Sequence, residues 1–336
     1  MKMKRITFML ALLLMILLLS SCNKEEIITG LKEPEVKAYT TIYPIQFVLE
    51  NIGGDTVSVQ SVYPPGVDAH TFEPTSKDMT EIATSDIFIY FGPSLEGFVQ
   101  SAAKTLADEP VTLMSLEDYP ELFETSTDQD SEVEEDEDAS RIDYGHHGHR
   151  HHSEQDHPHH HYGGVDPHIW IDPVRMITLT DIITDKLIEL NPKDEELYTH
   201  NKNELVRRLQ KLDRLYADTL ATKEHKYLVV PHAAYGYWED RYGIKQIAVS
   251  GLSPSQEPSQ KYLADIIQLA KEYDLEYVFY EQNTPDKLIE IIQEEINADV
   301  LTIHNLSVLT EADMENNEDY FTLMEYNLNV LNEAFY

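Results

Sequence analysis

Nine of the chain's fifteen histidines lie in residues 146–161, directly after an acidic run, and a tenth, His168, follows seven residues later. Imidazole is a borderline-soft nitrogen donor that suits zinc, copper and nickel, so a tract this rich reads as metal handling. Three histidines have a more ordered setting. His70 lies in the loop after an alternating strand pattern, residues 56–62. His168 sits in the turn Val165-Asp166-Pro167-His168, just before a helix, and His232 follows Pro231 and the apolar run 227–230. In open α/β sheets ligands bind beyond the carboxyl ends of strands, which is where His70 and His232 fall. A neutral-imidazole triad gives zinc its preferred donors and leaves a fourth place for water or a carboxylate. His70, His168 and His232 are therefore the candidate metal ligands. A zinc hydrolase would use the same triad with a bound water. It would also need a general base and a substrate pocket, and no His-Glu-x-x-His constellation occurs. An enzyme is not expected.

The elements that must position these residues alternate along the chain. Residues 36–42 read as a strand, 43–52 as a helix closed by Gly53-Gly54, and 56–62 as a strand. Thr75 and Asp78 form a capping pair for a helix ending near residue 85, and 86–91 is a short apolar strand. Residues 117–164, acidic and then histidine-rich, lack periodicity and apolar content and read as an insertion without regular structure. Helical patterning runs from Asp172-Pro173 to Leu190, breaks at Asn191-Pro192 and resumes to about Leu220. Along its second part Leu205, Leu209, Leu212 and Tyr216 form one apolar stripe. Strands are expected at 227–230, 246–249, 277–280 and 300–303, with helices near 258–273, 285–296 and 320–335. Short apolar strands alternating with amphipathic helices imply an α/β protein of two lobes, each a parallel sheet flanked by helices, joined by a long rigid helix. The expected divisions are an N-terminal lobe over 37–173 containing the insertion 117–164, a linking helical region over 174–222 and a C-terminal lobe over 223–336.

The first residues carry a compartment signal. Lys2, Lys4 and Arg5 precede the apolar run 6–19, which is short for a membrane span and shaped like a secretory signal. It ends in Leu19-Ser20-Ser21 before Cys22, the chain's only cysteine, a pattern that resembles a bacterial lipobox. The expectation is a signal peptide over 1–21, lipidation at Cys22, a tether over 22–36 and a protein held by its lipid on the extracytoplasmic face of the cell membrane. A chain whose one thiol is lipidated must hold metal through nitrogen and oxygen. The net charge of −36 argues against nucleic acid as a partner.

The residues around the three histidines also carry a family resemblance. Tyr63-Pro-Pro-Gly-Val-Asp-Ala-His-Thr-Phe-Glu-Pro-Thr75 resembles the first metal-binding motif of the zinc and manganese substrate-binding proteins of ABC transporters. Val165-Asp-Pro-His-Ile-Trp-Ile-Asp-Pro173 is similar to the second, and Pro231-His-Ala-Ala-Tyr-Gly-Tyr237 to the third. Gly251-Leu-Ser-Pro-Ser-Gln-Glu-Pro-Ser259 matches a further signature. Four motifs in order cover nearly the whole mature chain. The resemblance implies the periplasmic binding protein fold of metal receptors, a metal ion held between two lobes by His70, His168 and His232, and no catalysis. It also implies delivery of the ion to an ABC permease and its ATPase.

Two departures stand out. Ala69 occupies the place where the family usually has Pro before the first histidine. The stretch His304-Asn305-Leu306-Ser307 has serine where zinc members often have a Glu ligand. The fourth place is thereby open to water, to His304 or to Glu281. A nitrogen-rich set favours Zn2+ over manganese, which prefers more oxygen donors, and His232 stands where manganese receptors usually have Glu. Zn2+ as transported ligand is the expectation; a manganese receptor of the same family and a lipid-anchored surface adhesin are the alternatives. The histidine tract reads as an inert linker, a low-affinity zinc collector or a saturation sensor.

Overall fold

Strand β1 (Val36–Thr40) pairs in parallel with β2 (Val57–Ser61) on one side and β3 (Ile87–Tyr90) on the other. Outside β3 lies β4 (Thr112–Ser115), giving the order β2-β1-β3-β4. This is a computed structural model; it describes residues 34–123, 165–256, 258–282 and 286–336. The expected signal peptide, Cys22, most of the tether and the histidine tract lie outside the described residues. Among the described residues no helix is long and apolar enough to cross a membrane.

Parallel strands need a crossover, and α1 (Tyr43–Gly53) supplies the first. Pro44 at its start has φ already set for a helix and no amide to waste. Gly54, at φ 51°, ends it in a conformation open chiefly to glycine. Helix α2 (Ser76–Ala83) opens on the expected capping box, Thr75 and Asp78 each accepting from the other's backbone amide. Helix α3 (Val99–Leu106) lies between β3 and β4 in the chain. One stretch departs from expectation. Residues 116–122 form two short 3-10 turns, Leu116–Asp118 and Pro120–Leu122, instead of belonging to the unstructured insertion. The sequence hides this because the stabilising partners are distant: Leu122 is buried, and its carbonyl accepts from the Arg175 guanidinium at 2.6 Å.

The middle of the chain is helical, as its periodicity predicts. Helix α4 (Pro173–Leu190) is capped by Asp172, whose carboxylate accepts from the Val174 amide. Helix α5 (Glu195–Leu220) buries the stripe Leu205, Leu209, Leu212 and Tyr216. The second lobe carries β5 (Tyr227–Val230), α6 (Gly236–Tyr242), β6 (Lys245–Ala248), α7 (Gln260–Glu272), β7 (Tyr277–Glu281), α8 (Lys287–Ile296) and β8 (Asp299–Ile303). Its strands form two parallel pairs, β5 with β6 and β7 with β8. Two short helices follow the pattern less visibly, α6 and α9 (Glu311–Asn316), before α10 (Tyr320–Ala334) closes the chain.

The apolar core is shared between the lobes. One continuous cluster runs from Ile45 and Phe88 in the first lobe through Trp170 and Tyr216 to Trp238, Phe279 and Leu331. A smaller one, around Val229, Ile247, Val278 and Ile292, belongs to the second lobe. Phe47 of α1 stacks on Tyr320 of α10 at 5.4 Å, so the last helix is built into the first lobe's packing.

Candidate metal centre

Each candidate histidine is held by its own local device. The His70 loop is folded by Asp68, whose carboxylate accepts the His70 amide at 2.8 Å, and by Tyr63, whose hydroxyl donates to the Ala69 carbonyl at 3.0 Å. That tie fixes the backbone where the sequence lacks the family's proline. His168 is 2% exposed, and Asp166 accepts both its amide, at 3.0 Å, and a contact from its ring Nδ1, at 2.8 Å. His232, 3% exposed, is set beyond β5 by hydrogen bonds from Ser250 to the Pro231 carbonyl and from Ala234 to the His232 carbonyl.

The three rings converge. Centroids are 5.5 Å apart for His70 and His168, 5.7 Å for His70 and His232, and 5.3 Å for His168 and His232. One ligating nitrogen from each lies within 4.8 Å of the others. A tetrahedral zinc ion with bonds of about 2.1 Å holds its nitrogens roughly 3.4 Å apart, so a shift of about 1 Å would complete the site.

The carboxylates behind the rings decide which nitrogens are left for an ion. Asp166 occupies Nδ1 of His168, and Nε2 of that ring is buried without a hydrogen-bond partner. Such an orphaned nitrogen in a buried place is what a metal ion would satisfy. Glu281 Oε1 lies 2.7 Å from His232 Nδ1, a close carboxylate–imidazole contact on the side of the ring away from its other nitrogen. The other Glu281 oxygen accepts from Asn305 Nδ2 at 2.7 Å.

The charges follow from these neighbours. Burial and the two facing imidazoles push His70 down to about 2, so it is neutral at any physiological pH. Burial pulls His232 down as well, but the Glu281 carboxylate outweighs it and the net shift is upward. Glu281 is lowered in turn: burial opposes ionisation, and the combined pull of His232 and the Asn305 hydrogen bond overcomes it.

The two protein alternatives for a fourth donor fare differently. His304 is turned away: its Nε2 lies 3.0 Å from Asp313 Oδ2 and its Nδ1 accepts from the Leu306 amide at 2.9 Å. Glu281 lines the same cleft as the triad but has both oxygens engaged. At the position where the sequence lacks the family's carboxylate, the Ser307 hydroxyl donates to Asn305 Oδ1 at 2.8 Å. Leu306 beside it has φ 60°, a left-handed conformation rare outside glycine, and the His304 ring holds its amide there.

Some residues that shape the site were not assigned a role from sequence. Asp166 is one, although an Asp two residues before a histidine is a local signal that could have shown it. Gly236 is another. A Cβ there would meet Asp166 Oδ2 at 2.8 Å, so glycine is needed for α6 to approach the carboxylate that orients His168. Tyr237 adds a hydrogen bond of 2.7 Å to the Asp166 carbonyl. The third motif thereby braces the second.

Fold and site together define a two-lobed α/β protein with an imidazole-rich centre in the cleft. Residues 39–334 match the family described as zinc-uptake complex component A, periplasmic (ZnuA). The chain belongs to that family. It is 31% identical over 332 residues to the zinc-binding lipoprotein AdcA of Streptococcus pneumoniae, covering 99% of this chain and 61% of that protein. The chain therefore spans about three fifths of that relative's length. It is 30% identical over 303 residues to the high-affinity zinc uptake system protein ZnuA of Bacillus subtilis, covering 90% of this chain and 88% of that one. The crystal structure of the Zn(II)-bound ZnuA-like domain of Streptococcus pneumoniae AdcA superposes with a TM-score of 0.68 at 28% identity, over 89% of this chain and 98% of that domain.

Proposed function

We propose that this protein is an extracytoplasmic zinc receptor that captures Zn2+ between its lobes and delivers it to an ABC permease. The observation that carries the reading is the meeting of His70, His168 and His232 in one cleft, each supplying a nitrogen within 4.8 Å of the others. Zinc is favoured because three imidazoles suit it and manganese prefers oxygen. The named relatives, a zinc-binding lipoprotein and a zinc uptake system protein, support the same ion. The role is binding and hand-over, as the family description of an uptake component implies.

In this reading Cys22 carries the lipid that keeps the receptor at the membrane, and the permease with its ATPase accepts the loaded form. The N-terminal lobe, linking helices and C-terminal lobe divide at about residues 173 and 222. The histidine tract, tethered a few residues from His168, raises the local concentration of ions near the cleft. Metal content of the purified mature protein tests the central claim. One tightly held zinc per chain, beyond what the histidine tract carries loosely, is expected, retained against about a hundredfold excess of manganese, and lost from tract-deleted protein in the His70→Ala, His168→Ala and His232→Ala variants. Preferential retention of manganese would give the site to the other metal. Attachment to host surfaces that needs no metal would favour an adhesin instead.

A further inference from the structure

The triad opens on a cavity of about 480 Å3, which also reaches Gly66, Asp68, Gln282, Asp286, Lys287, Asn305 and Ser307. A bare ion fills a small fraction of that space, whereas it is the size of a pocket for a small organic molecule. The donors that sequence nominated for the open position, and the serine at the family's carboxylate position, are otherwise committed. The Glu281 oxygens face His232 and Asn305, and His304 faces Asp313 and Leu306. Ser307 offers a neutral hydroxyl that already donates to Asn305. Three-histidine zinc accepts one or two further donors, becoming four- or five-coordinate.

We propose, building on the zinc-receptor reading, that the remaining positions are filled by a free amino acid, so that the ion is held as a ternary complex. An α-amino acid offers an amine and a carboxylate in one chelate ring, the amine releasing its proton to solvent as it binds. The cavity's charge selects this class over polyanionic chelators. Asp68, Glu281 and Asp286 contribute three carboxylates to its lining, against one ammonium from Lys287. A tricarboxylate would meet that negative wall, whereas a chelated amino acid, its amine deprotonated, brings a single negative charge on a carboxylate whose second oxygen can face Lys287.

The test uses the mature protein, zinc and L-histidine. In native mass spectra the loaded protein should carry zinc plus one histidine. At buffered free zinc, added histidine should lower the half-saturating zinc concentration about tenfold. 15N-labelled histidine should stay with the protein through gel filtration only when zinc is present, a readout that needs no variant. Ser307→Glu, which places a carboxylate at the cleft, should take zinc and lose the histidine. One zinc without histidine, at an affinity indifferent to it, would overturn this proposal and leave the receptor reading intact. Retention of citrate in preference to histidine would also overturn it. Failure to bind zinc under any of these conditions would sink both.

Discussion

At the scale of single residues, the carboxylates behind the rings matter nearly as much as the rings. Glu281 is a positioning residue, fixing His232 through Nδ1. Glu281→Gln should weaken zinc binding about 10- to 100-fold, the usual loss when such a partner is removed, as read by competition with a zinc chelator. The pH profile separates this from a loss of packing. Because Glu281 holds a proton on His232 to a higher pH than usual, zinc must displace that proton. Wild-type affinity should therefore begin to fall above pH 6.5 on acidification, and the Glu281→Gln onset should move to lower pH. An unchanged onset would show that the carboxylate does not govern the ring.

His70 has the opposite character and affects stability without metal. Its folded value, about 2, lies far below the ordinary 6.5 of an unfolded chain. Between those values the unfolded state binds a proton the native state refuses, so stability falls as pH falls below 6.5. The slope is about 1.4 kcal/mol per pH unit from this group. Glu96 works against it: burial raises its carboxyl to about 7, making the native state the better proton binder between the ordinary carboxylate value and that pH. The His70 contribution is isolated by denaturant titration of the apo protein beside His70→Asn, which should lose the extra acid sensitivity.

At the scale of elements, loops carry the ligands and helix ends hold the loops. The Thr75–Asp78 capping box closes the His70 loop, and Thr75→Ala should cost about 1 kcal/mol in denaturant unfolding. Tyr63→Phe removes the tie to the Ala69 carbonyl, worth about 1 kcal/mol net. If that hydrogen bond preorganises His70, zinc affinity should drop about fivefold while the far-ultraviolet circular dichroism stays unchanged. Gly236→Ala should be more damaging than either. Its methyl group must displace Asp166, so zinc affinity should fall while α6 itself gains helical propensity.

At the scale of the whole molecule, the lobes are tied across the cleft's floor. Trp170, fully buried, donates to the Asn305 carbonyl at 2.7 Å, and Tyr320 donates to the Trp170 carbonyl at 2.7 Å. Trp238 donates to Ile171, Tyr43 to Ser307, and Gly66 to Leu309. Arg208 of α5 lies over the Phe321 ring of α10 at 3.9 Å. A hinge must break such ties, so closure on zinc should be small. Crystal structures with and without zinc should differ in lobe backbone by about 1 Å or less, with the loops of His70 and His232 moving most. A rotation of several ångströms at the lobe tips would contradict this.

Much of the molecule was legible in the sequence because its signals are local. Alternation located β2, a leucine stripe located α5, and turn chemistry located the capping box of α2. The three histidines could be singled out because each stands in a turn beside an ordered element. Other features depend on partners far along the chain and left no local mark. The turns at 116–122 exist because Arg175 reaches Leu122, and α6 is a short helix whose glycine answers to Asp166 rather than to its own neighbours. Sequence order could nominate His304 and Glu281 as further donors, but it could not say which way their side chains turn. Coordination is a matter of direction within an ångström, and direction is set by packing. The amino acids determined which nitrogens were available; only the folded cleft decided that three of them face one another and that His304 looks elsewhere.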